Sequence, residues 1–258
     1  MLPGGLLPML SMLTLAFSTS QSQPVAEVSI RPATGFLYKT LTIDNQVYAY
    51  CVFVPPDYDP RQPWPVILFL HGSGERGEDG FLQTDIGIGR ALRRDHRRVP
   101  AIVVMPQCRP GQLWVGPMAV LALRCLEETS REYHLDPQRV YLTGLSMGGQ
   151  GAWLLASELP ERFAAVVPIC GFVELGPATG LAERVAARLT KVPIRCYHGA
   201  LDQNVPVDKS REMVAAIRQA GGTVFYTEFP DGAHDIWNRV YEDPQFWRWL
   251  LEQRRPTP

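Results

Sequence analysis

Lysine is nearly missing from this chain of 258 residues. Of its 25 basic side chains only Lys39, Lys191 and Lys209 are lysines, and 26 acidic ones bring the net charge to −1. That balance argues against a nucleic-acid partner and against a polybasic membrane anchor. The one local concentration of base, Arg90 to Arg98 (RALRRDHRR), reads as the solvated face of a helix running into a loop. No stretch reaches the roughly 18 consecutive apolar residues that a membrane span needs. None of the 5 cysteines forms C-x-x-C, the usual spacing for a zinc site or a redox dithiol, and nothing calls for a metal or an organic cofactor. There is no internal repeat, low-complexity segment or shift in composition, so the length suits one folded domain.

The first residues differ from the rest. Leu6 to Phe17 is apolar with Ser and Thr interspersed, and small polar residues follow from Ser18 to Pro24. This pattern predicts a signal peptide over residues 1–22, a linker over 23–35 and the folded domain over 36–258, in a secreted or periplasmic protein without stable membrane insertion after processing. No Lys or Arg precedes the apolar run, so the amino terminus alone supplies its positive charge. Cys51, Cys170 and Cys196 fall in apolar runs and read as small core residues, whereas Cys108 sits in a loop and is expected to be the exposed one. The odd number leaves at least one thiol unpaired unless chains cross-link.

Eight short apolar runs read as strands: Phe36 to Ile43, Val47 to Val54, Pro65 to Leu70, Ala101 to Met105, Val140 to Thr143, Ala164 to Cys170, Val192 to His198 and Thr223 to Phe229. The first two, joined at Asp44-Asn45-Gln46, suit an antiparallel hairpin at a sheet edge. Later strands alternate with helical stretches at Met118 to Tyr133, after Gly148, at Val207 to Ala220 and after Asp243-Pro244. The expected fold class is α/β, a mostly parallel, doubly wound sheet of about eight strands with helices on both faces. Gly171 to Lys191 holds only about one helix, which leaves no room for a large cap domain and predicts an open cleft at the C-terminal strand ends.

Between strand and helix lies Gly144-Leu145-Ser146-Met147-Gly148, a G-x-S-x-G. On its own this pattern is common; a buried strand before it and a helix of small residues after it (Gly148, Gly149, Gly151, Ala152) make it a nucleophile elbow. A serine hydroxyl needs a general base, and the base needs a carboxylate to hold its tautomer. Asp202 follows one later strand and His234 the last, in the order Ser, Asp, His. Taken singly, Asp202 reads as an Asx turn or helix cap and His234 as a surface histidine. Asp231 and Asp235 lie too near His234 to orient it easily. His71 and His198, each before a glycine at a strand end, read as structural hydrogen-bond partners; His96 and His134 lie in polar stretches. For the oxyanion the expected backbone donors are Met147 and, from the loop after the third strand, Ser73 or Gly74.

His71 to Gly77 (HGSGERG), the Pro106-Gln107-Cys108 and Trp114 loop, Gly144 to Gly149 (GLSMGG), Asp202 and His234 together resemble the α/β-hydrolase superfamily. Within it the chain is similar to compact esterases related to polyhydroxybutyrate depolymerases, feruloyl esterases and dienelactone hydrolases, over about residues 36 to 253. The resemblance implies a serine carboxylesterase with Ser146 as nucleophile, His234 as base and Asp202 as its partner, acting on a small-molecule or polymeric ester, with aromatic or polyester substrates as candidates. Dienelactone hydrolases proper use a cysteine where this chain has Ser146, which points toward ordinary esters. Trp114, Phe172 and Trp237 are candidates to line the cleft, or else ordinary core and rim aromatics. A peptidase of the prolyl-oligopeptidase type would share the triad but usually carries a large gating domain. A non-catalytic binding protein on the same fold tends to lose a triad member. The sequence carries no signal for oligomeric state.

Overall fold

The computed structural model describes Met1 and residues 32–174 and 180–255. The proposed signal peptide and most of the linker fall outside the described residues. The body that begins at Pro32 is built on one sheet of eight strands: β1 (Gly35–Ile43), β2 (Gln46–Val54), β3 (Trp64–Leu70), β4 (Ile102–Pro106), β5 (Leu135–Leu145), β6 (Ala165–Ile169), β7 (Ile194–Gly199) and β8 (Val224–Phe229). Their order across the sheet is β1-β2-β4-β3-β5-β6-β7-β8. β2 runs antiparallel to β1 and β4, and every pairing from β4 to β8 is parallel. The hairpin turn works because Asp44 and Asn45 take the left-handed backbone (φ 48° and 63°) that these two residue types tolerate better than most.

Parallel strands need helical crossovers, and these cover both faces. On one face pack α2 (Pro117–Glu132), α3 (Met147–Glu158), α4 (Leu181–Arg188) and α5 (Asp208–Gln219); on the other pack α1 (Gly87–Arg94), α6 (Trp237–Glu242) and α7 (Pro244–Glu252). Alternation along the strands divides the core in two. Val66, Leu68 and Leu70 of β3 join the first face, Ile67 and Phe69 the second, and all five are fully buried. Each such side chain contributes about 1.5–3 kcal/mol of burial free energy.

The expected elements are present, with some shifts. α2 turns Met118, Leu121, Ala122, Cys125, Leu126 and Thr129 inward, a 3.6-residue stripe that leaves Val120 half exposed. The basic run behaves as a solvated face: Arg90, Arg93 and Arg94 stand outside while Ile88, Ala91 and Leu92 are buried. Asp243 caps α7 by accepting from the Gln245 amide at 2.8 Å. The short helix α6 is absent from the sequence reading because six residues carry too little periodicity to register.

Cys108 corrects an expectation. It is fully buried, not exposed, because the loop after β4 folds back over the sheet: the His71 imidazole accepts from the Cys108 amide at 2.9 Å, and the Cys108 carbonyl accepts from Gly77 at 3.0 Å. All five cysteines are free and buried, and burial pushes the Cys108 thiol up to about 11 and that of Cys51 to about 12. A thiolate is the reactive species. Ellman's reagent is therefore expected to find almost no thiol in the native protein at pH 8 and all five after denaturation; one fast-reacting native thiol would contradict this packing.

Candidate active site

Loops leaving the C-terminal ends of neighbouring strands bring the site together. The first is the turn between β5 and α3. Ser146 holds φ 54° and ψ −118°, and its amide donates to the Ile169 carbonyl at 2.8 Å. Such a backbone costs about 1–3 kcal/mol for a residue with a side chain. The glycines around it leave no alternative. A Cβ on Gly148 would lie 1.8 Å from the Leu70 carbonyl oxygen, and one on Gly144 would lie 2.2 Å from the Gly148 carbonyl oxygen. Helix and strand thus touch backbone to backbone, and the sharp turn between them lifts the Ser146 side chain off the sheet end.

Asp202 arrives on the loop after β7 and His234 on the loop after β8. The two loops are tied together: Ala200 donates to Phe229 at 2.9 Å, Leu201 donates to Gly232 at 2.8 Å, and a Cβ on Gly199 would strike the Ala233 carbonyl oxygen at 2.2 Å. The result is one row of hydrogen bonds. Ser146 Oγ lies 2.9 Å from His234 Nε2, and His234 Nδ1 donates to Asp202 Oδ2 at 2.6 Å. The other carboxylate oxygen, Oδ1, accepts from the amides of Asn204 and Val205, each at 2.9 Å. Burial pushes the Asp202 carboxyl up, but the His234 hydrogen bond, the Val205 amide, the attraction of His234 in its imidazolium form and the Asn204 amide outweigh it and leave it below its ordinary value. An ionised carboxylate fixes the proton of His234 on Nδ1, so Nε2 is free to accept from Ser146. The arrangement can deprotonate a hydroxyl and hold the imidazolium that results.

The other expected residues divide. Ser73 and Gly74 stand exposed on a short 3-10 turn, Ser73–Glu75, directly after β3. Gly72 packs that loop against the elbow, where a Cβ would meet Leu145 Cδ1 at 3.0 Å. Trp237 borders the row edge-on to the His234 ring, with centroids 5.1 Å apart. Phe172 is half-buried beyond Gly171, which packs on Gly149 of α3. Trp114 does not line a cleft. It is fully buried, donates from Nε1 to the His71 carbonyl at 3.0 Å and sits under Gly151, where a Cβ would meet its own Cβ at 2.4 Å. The physical reason is the length of the loop after β4, which reaches back far enough to seat the indole between α3 and β3.

Of the rival residues, Asp231 is turned to Arg239 at 2.9 Å. His71 is fully buried with both nitrogens engaged, and burial pushes it down to about 4, so it is neutral at physiological pH. Cys170, His198 and Asp202 offer ligand atoms within 4.8 Å of one another, close enough for a metal ion to bridge. Each atom is already engaged: Cys170 Sγ donates to the His234 carbonyl at 3.6 Å, His198 Nε2 lies 3.0 Å from the Val205 carbonyl, and Asp202 Oδ2 holds His234. The sequence reading missed Ser210 behind this group. Its signal was there, since Ser210, Met213, Val214 and Ile217 fall on one helical stripe of α5, all buried.

An open, mostly parallel sheet wound by helices on both faces, with a strained serine at the strand-to-helix turn and an aspartate and a histidine after later strands, is the α/β-hydrolase fold. Within that class the dienelactone hydrolase family model matches residues 119–244, a range that includes Ser146, Asp202 and His234. A solved thermostable esterase superposes with a TM-score of 0.73 and 32% identity, covering 85% of this chain and 63% of its own. An uncharacterized secreted protein of Arthroderma benhamiae is 22% identical over 229 residues, 76% of this chain and 24% of that protein. Poly(3-hydroxyalkanoate) depolymerase C of Paucimonas lemoignei is 35% identical over 63 residues, 24% of this chain and 15% of the depolymerase. The chain thus spans less than a quarter of the length of these two curated relatives. It resembles compact esterases of the α/β-hydrolase superfamily.

Proposed function

We propose that this protein is a serine carboxylesterase. Ser146 Oγ attacks the ester carbonyl carbon while His234 Nε2 takes the hydroxyl proton, and Asp202 stabilises the imidazolium. The oxyanion of the tetrahedral intermediate is held by the Met147 amide at the start of α3 and by an amide of Ser73 or Gly74. Collapse of the intermediate breaks the C–O bond; the alcohol leaves with the proton from His234 and the acyl group stays on Ser146. Water, deprotonated by His234, then attacks the acyl carbon, and the carboxylic acid departs as Ser146 Oγ recovers its proton.

The observation that carries this reading is the continuous row Ser146–His234–Asp202, closed at its far end by two backbone amides. The 32% identity to a thermostable esterase supports the choice of ester chemistry. The substrate is a small-molecule or polymeric ester bound beside the half-buried Phe172 and the edge of Trp237, which is otherwise packed in the core, and the depolymerase relative supports a polyester-type acyl chain. With Trp114 in the core, the argument for an aromatic acyl group rests on those two rings alone. Export is part of the proposal. It is supported by the apolar leader and by the secreted relative, and the burial of all five free thiols is compatible with it; among the described residues no helix is long and apolar enough to cross a membrane.

The test is turnover of p-nitrophenyl esters from acetate to decanoate beside the matching p-nitroanilides. Ester rates far above anilide rates are expected, with a chain-length optimum that sizes the acyl site. Anilide rates above ester rates would instead make the protein a peptidase.

A further inference from the structure

The row of hydrogen bonds does not end at Asp202. His198, near the end of β7, is fully buried. Its Nδ1 lies 2.7 Å from Ser210 Oγ on α5; its Nε2 lies 3.0 Å from the Val205 carbonyl oxygen and 3.2 Å from Asp202 Oδ2. The tautomer follows from the partners. A carbonyl oxygen and an ionised carboxylate can only accept, so the proton sits on Nε2; Nδ1 is then the acceptor, and the Ser210 hydroxyl donates to it. Burial, the largest influence, holds His198 below its ordinary pKa despite the Val205 carbonyl and Asp202, which suits this neutral form. A closed ring results. Val205 donates its amide to one oxygen of Asp202 and offers its carbonyl to the imidazole that donates to the other.

We propose that His198, oriented by Ser210, is a positioning residue for Asp202: its Nε2–H shares Oδ2 with His234, fixes the plane of the carboxylate and tempers its pull on the His234 proton. This rests on the reading of Ser146, His234 and Asp202 as the catalytic set. Other titratable groups surround His198. Cys170 lies beside it and Asp202; Cys196 stands two residues earlier on β7 with its thiol toward Ser210; Glu228 is its neighbour on β8; His234 lies beyond Asp202. Burial keeps both thiols protonated, and Glu228 is held ionised by Arg211 and by Tyr226. Among the described residues, Asp202 is therefore the charge that the His198 proton answers.

Removal of the donor has two consequences. The carboxylate is freer to rotate, and a misplaced catalytic group slows turnover. Oδ2 also carries more unshared negative charge toward His234 and holds its proton more tightly, so activity is lost at higher pH on the acid side. In His198→Phe a ring fills the space without a donor; in His198→Gln the amide nitrogen can stand where Nε2 stood. The experiment is kcat/KM against pH for the wild type, these two variants and Ser146→Ala. His198→Phe is expected to lose about tenfold or more in kcat and to move its acid limb up by about half a pH unit or more. His198→Gln should return the limb toward its wild-type position, which a purely space-filling role would not do. An unmoved limb in His198→Phe, or a limb in His198→Gln displaced as far as in His198→Phe, would overturn the inference. If His198→Phe does not fold, Ser210→Ala decides on the same readout: an upward shift supports it and a wild-type limb overturns it. Activity retained in Ser146→Ala would overturn the catalytic reading itself, whereas activity lost there with an unmoved limb in His198→Phe would overturn the positioning role alone.

Discussion

Ser146→Ala is expected to lower kcat for ester hydrolysis by about four to six orders of magnitude, the range seen when a nucleophile that works as one unit with its base is removed. The loss should come without unfolding. The alanine keeps the Cβ of Ser146 and meets the same backbone strain at φ 54°, so only the hydroxyl and its 2.9 Å bond to His234 disappear. Stability should stay within about 0.5 kcal/mol of wild type, as for changes that touch no packing. The variant should still bind substrate, because the amides at Met147 and in the Ser73–Gly74 loop that we propose for the oxyanion are backbone groups, which the substitution leaves in place. Thermal melting beside steady-state kinetics separates the two effects. A variant that melts at the wild-type temperature and hydrolyses at the wild-type rate would place the chemistry elsewhere.

The second large effect lies in the scaffold. Gly148→Ala is expected to cost more than about 3 kcal/mol of stability, or to leave no folded protein to purify. An added Cβ would sit 1.8 Å from the Leu70 oxygen, 2.4 Å from the Leu70 carbonyl carbon and 2.7 Å from the His71 oxygen. All three are backbone atoms of β3 and its exit, so no side chain can swing aside. Helix α3 would have to lift away from the centre of the sheet, and the Ser146 turn would open with it. Gly74→Ala is the control for stability, since a Cβ there meets nothing within 4 Å; denaturant unfolding should leave it close to wild type. A Gly148→Ala variant as stable as the control would contradict the close contact of α3 with β3.

Much of this molecule can be read from its residues. The run Pro65 to Leu70 is apolar throughout, and only a strand covered on both faces needs that; β3 is such a strand, in the middle of the sheet. The elbow is legible because the sterics of Gly144 and Gly148 leave a direct mark on the sequence. Asp202 and His234 could be named because both follow strand runs, and parallel strands deliver their C-terminal ends to one place. What escaped the reading depends on how far loops fold back. Cys108 and Trp114 lie in an irregular segment, and no periodicity says that it closes over the sheet and buries both. The partners of His198 escaped for a related reason. Its position before Gly199 suggests a structural bond, but the bonds it makes depend on α5 packing Ser210 against β7, a contact between elements rather than a local pattern.

The central claim is that Ser146 is a nucleophile activated by His234. The most direct measurement is reaction of the folded protein with a fluorophosphonate, read by intact mass and by mapping the modified peptide. One phosphonyl group should be added, on Ser146 Oγ, with the reaction lost in Ser146→Ala and strongly slowed in His234→Ala. A protein that stays unlabelled while fully folded, or that carries the label on another residue, would contradict the account.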